Sequence, residues 1–281
     1  MKKFFLVGIF SFLASTTVLI AEVKIKVILA GDSTVSNYSA KHRPLAGWGE
    51  LLPFCFTNQV KVINHATGGA STKCFRDWRR WDRVIRDAKK GDYVLIQFGH
   101  NDEKTHQIKK YVDPDTTYQE NLKRFIKEAK AVGAVPILVT PPVRLLYNEK
   151  TKQLKESHVQ SLWHAPEGTR KTATTYHDAM RKVARETGTP LLDLNKASRK
   201  AILAQSNYEA MQTYYRFVKP GHKNYPNGIK DTTHFSVKGA ALMAKKLADE
   251  IRRIDSPLAK YLKSDSDITV VKLIEKFNQK K

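Results

Sequence analysis

Cysteine is scarce: Cys55 and Cys74 are the only two in 281 residues. That excludes a disulfide-stapled scaffold, and with no Cys/His cluster at ligand spacing near either it excludes a zinc ribbon or finger. One disulfide or two buried thiols both remain open. Acidic residues are also short, 27 Asp and Glu against 49 Lys and Arg, for a net charge of +22. No low-complexity tract, internal repeat or linker interrupts a chain that is 41% hydrophobic, so a folded globular protein is expected rather than a disordered one.

The N-terminus reads separately. Lys2 and Lys3 precede an apolar run from Phe4 to Ala21 that hydroxyl residues dilute, the pattern of a secretory signal peptide over 1–21 rather than of a membrane anchor. Taking those two lysines away leaves +20. Such a charge favours polyanionic partners, and export makes an acidic polysaccharide a better one than nucleic acid. A secreted or periplasmic protein with no stable membrane association is expected. The basic residues are scattered, among them Arg79, Arg80, Lys89, Lys109 and Lys110, so charge alone assigns no function.

Past the leader, strand and helix patterns alternate. Apolar, β-branched runs predict strands at 23–30, 60–64, 93–98, 135–140 and 190–194. Helices are expected at 45–56, 72–90, 116–132, 172–187 and 237–253. Five strands interleaved with helices predict one α/β domain, 22–263, with a parallel sheet covered on both faces. A basic tail at 264–281 follows, docking as a helix or hanging loose. Ligands of such sheets bind beyond the carboxyl ends of the strands.

Four short blocks fall at such ends or just before the last helix: Gly31-Asp32-Ser33, "NHATGGAS" (64–71), "GHND" (99–102) and "DTTH" (231–234). Each is common alone. Together they supply what ester hydrolysis needs: a hydroxyl nucleophile in Ser33, an imidazole base in His234 and a carboxylate in Asp231 to orient it. Backbone N–H groups of Ser33 and Gly69 and the side-chain amide of Asn101 could meet at one oxyanion.

In these blocks the chain resembles the GDSL, or SGNH, hydrolase superfamily. The resemblance implies a flavodoxin-like three-layer α/β/α sandwich. It makes Ser33, Asp231 and His234 the triad, and Ser33, Gly69 and Asn101 the oxyanion hole, with Gly68 the neighbouring rival. No metal or cofactor is implied. Thr34 stands where the name-giving motif has Leu. With "GWGE", "GGAST", "IQFGHND" and "DTTHFSVKGA", that departure resembles the rhamnogalacturonan acetylesterase branch, and implies an acetylated pectic substrate.

Other residues at these ends are expected to touch substrate: Trp48 by stacking on a sugar, His100 beside Asn101, and Arg144 on a uronic carboxylate. His65 and His106 lack an Asp at the offset seen for His234 and are read as wall residues. Two further readings stand beside the pectin esterase: an acetylesterase for xylan or another glycan, and a non-catalytic cationic polysaccharide-binding protein.

Overall fold

Successive residues of an extended strand face opposite ways, and the first strand is apolar on both sides. In the computed structural model, which describes residues 23–160, 167–169 and 171–280, that alternation divides the core in two. Val27 and Leu29 pack into one apolar cluster, and Ile28 and Ala30 into another on the far side of the sheet. The expected signal peptide lies outside the described residues.

The strands are β1 (Ile25–Gly31), β2 (Val60–Asn64), β3 (Tyr93–Gln97), β4 (Val135–Val139), β5 (Tyr147–Asn148), β6 (Gln153–Leu154), β7 (Leu191–Leu192), β8 (Tyr215–Val218) and β9 (Ile229–Phe235). Five of them form a parallel sheet in the order β2-β1-β3-β4-β7, with Leu29 paired to Asn64 on one side and Leu95 on the other. The helices are α1 (Trp48–Leu51), α2 (Thr72–Asp77), α3 (Arg80–Asp87), α4 (Thr117–Ala131), α5 (Tyr176–Thr187), α6 (Leu194–Leu203), α7 (Tyr208–Gln212), α8 (Val237–Arg253) and α9 (Val270–Gln279). Side chains of α2 to α5 fill one cluster; those of α1 and α6 to α9 fill the other. The result is the expected three-layer α/β/α sandwich. The order in which strands are added reverses about β1, with β2 on one side and β3 on the other, which opens a crevice at the carboxyl ends of β1 and β3.

Several elements differ from their sequence patterns. The helix expected at 45–56 is a four-residue α1 running into the 3-10 turn Leu52–Cys55, where Pro53 lacks the N–H a longer helix would need. The helix expected at 72–90 breaks in two, with Arg79 between the halves in the left-handed region at φ 56°. The last sheet strand spans two residues because Asp193 caps α6, its side chain accepting from the Lys196 N–H. The tail docks: α9 buries Leu273 and Phe277 in the same cluster as α1 and α8. Cys55 and Cys74 are buried free thiols, so the disulfide reading falls. Burial pushes the Cys55 thiol up to about 12.

Candidate active site

Ser33 is carried on a tight turn directly after β1. A Cβ at Gly31 would stand 2.6 Å from Val35 Cγ2 and 3.0 Å from the Gln97 carbonyl oxygen, so the turn closes only on glycine. The N–H groups of Val35 and Ser36 return to the Asp32 carbonyl, both at 3.2 Å, and the Thr34 N–H donates to Asp32 Oδ1 at 2.9 Å. Tyr38 donates its hydroxyl to the Ser33 carbonyl at 2.7 Å. The Ser33 backbone is thereby fixed, and its hydroxyl faces the crevice.

The base arrives from the other end of the chain. Strands β8 and β9 pair antiparallel, but Tyr215 pairs with Phe235 while Arg216 pairs with Asp231. Thr232, Thr233 and His234 are therefore bulged out of the ladder, and the bulge folds the Asp231 carboxylate back beneath the ring. His234 Nδ1 lies 2.8 Å from Asp231 Oδ2, and His234 Nε2 lies 2.9 Å from Ser33 Oγ. Asp231 also accepts the backbone N–H groups of Thr233 and His234, at 2.9 and 3.0 Å, and the Nε and Nη2 of Arg216. Burial alone would raise its pKa; the bonds and charge of His234 and the two backbone donors outweigh burial and hold it well below the usual carboxylate range. The carboxylate stays ionised and fixes the ring tautomer. This hairpin has no counterpart among the sequence expectations, which place Asp231 and His234 merely before a helix.

Gly69 and Asn101 face the same space. A cavity of about 390 Å³ is lined by Ser33, Gly69, Asn101, Thr233 and His234 together with His100, Lys104, Lys110 and Arg144. Gly69 sits at φ +77°, a conformation other residues adopt only with strain, and Gly68 is not among the lining residues. Asn101 Nδ2 donates to the Ala70 carbonyl at 3.0 Å, and its Oδ1 accepts from Lys104 Nζ at 2.8 Å. That pair of bonds fixes which end of the amide carries the donors, leaving one N–H for a ligand. Lys104 and Lys110 do not stand out as site residues in the sequence, because basic residues are too frequent there.

Behind the nucleophile lies a buried polar frame. Asp32 receives the Nδ1 of His100 at 2.9 Å and the Nε2 of Gln97 at 3.2 Å. Burial pushes Asp32 upward, but the His100 ring and the Thr34 donors leave it at about 2, while burial brings His100 down to about 4. At neutral pH the pair is thus a carboxylate and a neutral imidazole. The Thr34 hydroxyl lies 2.8 Å from both Asp32 Oδ1 and Gln97 Oε1. Thr34 is buried, so its departure from the Leu of the motif alters this frame rather than the wall met by an acyl group.

Of the three expected substrate contacts, burial corrects Trp48, while His100 and Arg144 reach the cavity already held by other residues. Trp48 is 1% exposed and part of the core, with no ring face left for a sugar. His100 reaches the cavity wall, yet is 2% exposed with its ring held on Asp32, so it supports the site from behind. Arg144 also lines the cavity, but its guanidinium is already engaged. It donates to Thr233 Oγ1 and the His100 carbonyl, each at 3.2 Å, and pairs with Glu103. It ties the loop after β3 to the His234 bulge. His65 instead bonds Asp87 at 2.8 Å, and neither it nor His106 lines the cavity.

Asp102 gives a pH prediction. Its Oδ1 accepts the N–H and hydroxyl of Thr72 at 2.8 and 2.7 Å, its Oδ2 is buried without a partner, and burial raises its pKa to about 7. A folded carboxyl that keeps its proton up to about 7, where the unfolded one loses it near 3.8, contributes stability below 3.8 that is lost as pH rises through 7. Asp102→Asn removes that titration. From pH 7 to 4 the wild type should gain on the variant by up to about 4 kcal/mol, read by urea unfolding at each pH. A difference independent of pH would contradict it.

The sequence model of the GDSL-like lipase/acylhydrolase family matches residues 29–242, a span that holds all four blocks. The chain belongs to this family. As a GDSL-like acylhydrolase it is a carboxylic ester hydrolase. Rhamnogalacturonan acetylesterase RhgT of Bacillus subtilis (strain 168) is 38% identical over 240 residues, 85% of this chain and 95% of that protein. The probable rhamnogalacturonan acetylesterase YesY of the same organism is 33% identical over 232 residues, 83% and 94% of the two chains. Among solved structures, YxiM from Bacillus subtilis aligns with a TM-score of 0.64 at 25% identity, over 84% of this chain and 58% of its own.

Proposed function

We propose that this acylhydrolase is an exported serine esterase that removes acetyl groups from an acidic pectic polysaccharide, rhamnogalacturonan foremost. The observation that carries the reading is the Ser33–His234–Asp231 relay, at 2.9 and 2.8 Å, opening onto a cavity that holds Gly69 and Asn101. The similarity to RhgT and YesY supports the substrate. The leader pattern at 1–21 supports export.

In this mechanism Ser33 Oγ attacks the acetyl carbonyl carbon while His234 Nε2 takes its proton. The tetrahedral oxyanion meets the N–H groups of Ser33 and Gly69 and the free amide N–H of Asn101, where removing one donor typically costs about 2.7–4 kcal/mol. Collapse expels the sugar hydroxyl, which receives the proton from His234. Water, deprotonated by the same ring, then releases acetate from the acetyl-serine.

An assembled relay favours catalysis over non-catalytic binding of polysaccharide. A strongly basic cavity favours an acidic glycan over xylan. Acetate release should be compared on acetylated rhamnogalacturonan, homogalacturonan and xylan at equal acetyl concentration. The highest kcat/KM is expected on rhamnogalacturonan; a rate on xylan as high or higher would overturn the substrate.

A further inference from the structure

The cavity beside Ser33 carries three cations, and they are not equivalent. Arg144 gives three of its five N–H groups to Glu103, Thr233 and the His100 carbonyl, which holds its guanidinium on those partners. Lys104 spends one N–H on Asn101 Oδ1, which leaves two. Lys110 is half-buried on the cavity wall, and its ammonium stands 3.5 Å from the point a Cβ on Gly69 would occupy. No side-chain hydrogen bond or ion pair of Lys110 occurs among the described residues.

Three carboxylates near this wall already serve other groups. Asp32 serves His100, Glu103 serves Arg144, and Asp231 serves His234 and Arg216. Lys104 feels the imbalance: burial first, then the positive charge of Lys110 and Arg144, lowers its pKa. Two ammonium groups that repel one another across a partly desolvated wall gain from an anion between them, and a neutral glycan brings none. The three N–H donors assigned to the oxyanion need no further cation at this spot.

We propose that Lys110, with Lys104 behind it, binds the carboxylate of a uronic acid residue joined to the acetylated sugar and so selects acidic over neutral glycans. The proposal rests on the reading of the site as a polysaccharide esterase. A lysine suits this task because a compact charge on a flexible stem tolerates several sugar orientations, where a forked guanidinium would demand one.

The test uses trigalacturonate as an inhibitor of p-nitrophenyl acetate hydrolysis, each protein being referred to its own uninhibited rate. Wild type should be inhibited competitively, with an inhibition constant that weakens as salt is raised. Lys110→Gln should weaken inhibition about tenfold and flatten the salt dependence, Lys110→Glu should weaken it further, and Lys110→Arg should restore most of it. Xylotriose, which has no carboxylate, should inhibit wild type and Lys110→Gln alike or not at all. An unchanged constant in Lys110→Gln, or no inhibition of wild type by trigalacturonate, overturns the proposal. Failure to release acetate from acetylated rhamnogalacturonan, with the Lys110 effect intact, would remove the substrate reading and leave the carboxylate site standing.

Discussion

Ser33→Ala is expected to lower kcat/KM for acetyl esters by at least about 10⁴-fold while leaving the fold intact. The Oγ that is lost carries the new covalent bond and is the atom that His234 Nε2 faces at 2.9 Å. The oxyanion donors survive the change, since they belong to backbone and to Asn101, so a residual acceleration over free water remains. Stability should hardly move. Among the described residues the Ser33 hydroxyl bonds only His234, and the turn is held by Asp32, Val35, Ser36 and Tyr38 through groups the substitution leaves alone. Acetate release and thermal melting test the two halves separately. A serine-directed phosphonate should give one adduct, on Ser33, in the wild type and none in the variant. Activity retained above about 1% would sink the nucleophile assignment.

Asp231→Asn is expected to cost about 10⁴-fold in kcat at neutral pH. Five N–H groups converge on this carboxylate: two from backbone, two from Arg216 and one from His234. An amide has one acceptor oxygen, so its NH₂ must meet a donor on one side. If the amide oxygen stays with Thr233 and the His234 N–H, the NH₂ opposes both Arg216 and the ring. The ring then flips tautomer and presents N–H, not a lone pair, to Ser33. Arg216 is also left as a bare cation under a ring that must itself become positive. The loss should lie in kcat more than in KM, because Asp231 is not among the residues that line the cavity. A loss of less than tenfold would mean that the ring is oriented by something else.

Both variants act on residues that were legible in the sequence, and the reason is local. Ser33, Gly69, Asn101, Asp231 and His234 stand in short blocks whose spacing is set by one strand end or one bulge each, so a few adjacent letters carry them. The parallel sheet was legible for a similar reason, as β1 and β3 are apolar on both faces. What escaped was fixed by tertiary contacts. A lone Trp48 beside a motif suits a sugar platform and a core position equally, and only the packing of the helix that bears it places it in the core. Arg144 looked free because Glu103 and Thr233, its partners, lie 41 and 89 residues away. The antiparallel β8–β9 pair escaped because polar residues of the bulge interrupt its alternation. The split at Arg79 leaves no Gly or Pro to mark it.

The separation of 201 positions between Ser33 and His234 has a consequence for when the protein becomes active. Neither fragment of a chain cut between them contains both partners of the proton transfer, and a chain still emerging from synthesis lacks its base until β9 has paired. Contacts so distant in sequence close late and at the cost of loop entropy. Hydrolysis should therefore switch on with the last stage of folding, which makes the appearance of esterase activity a direct clock for completion of the native state.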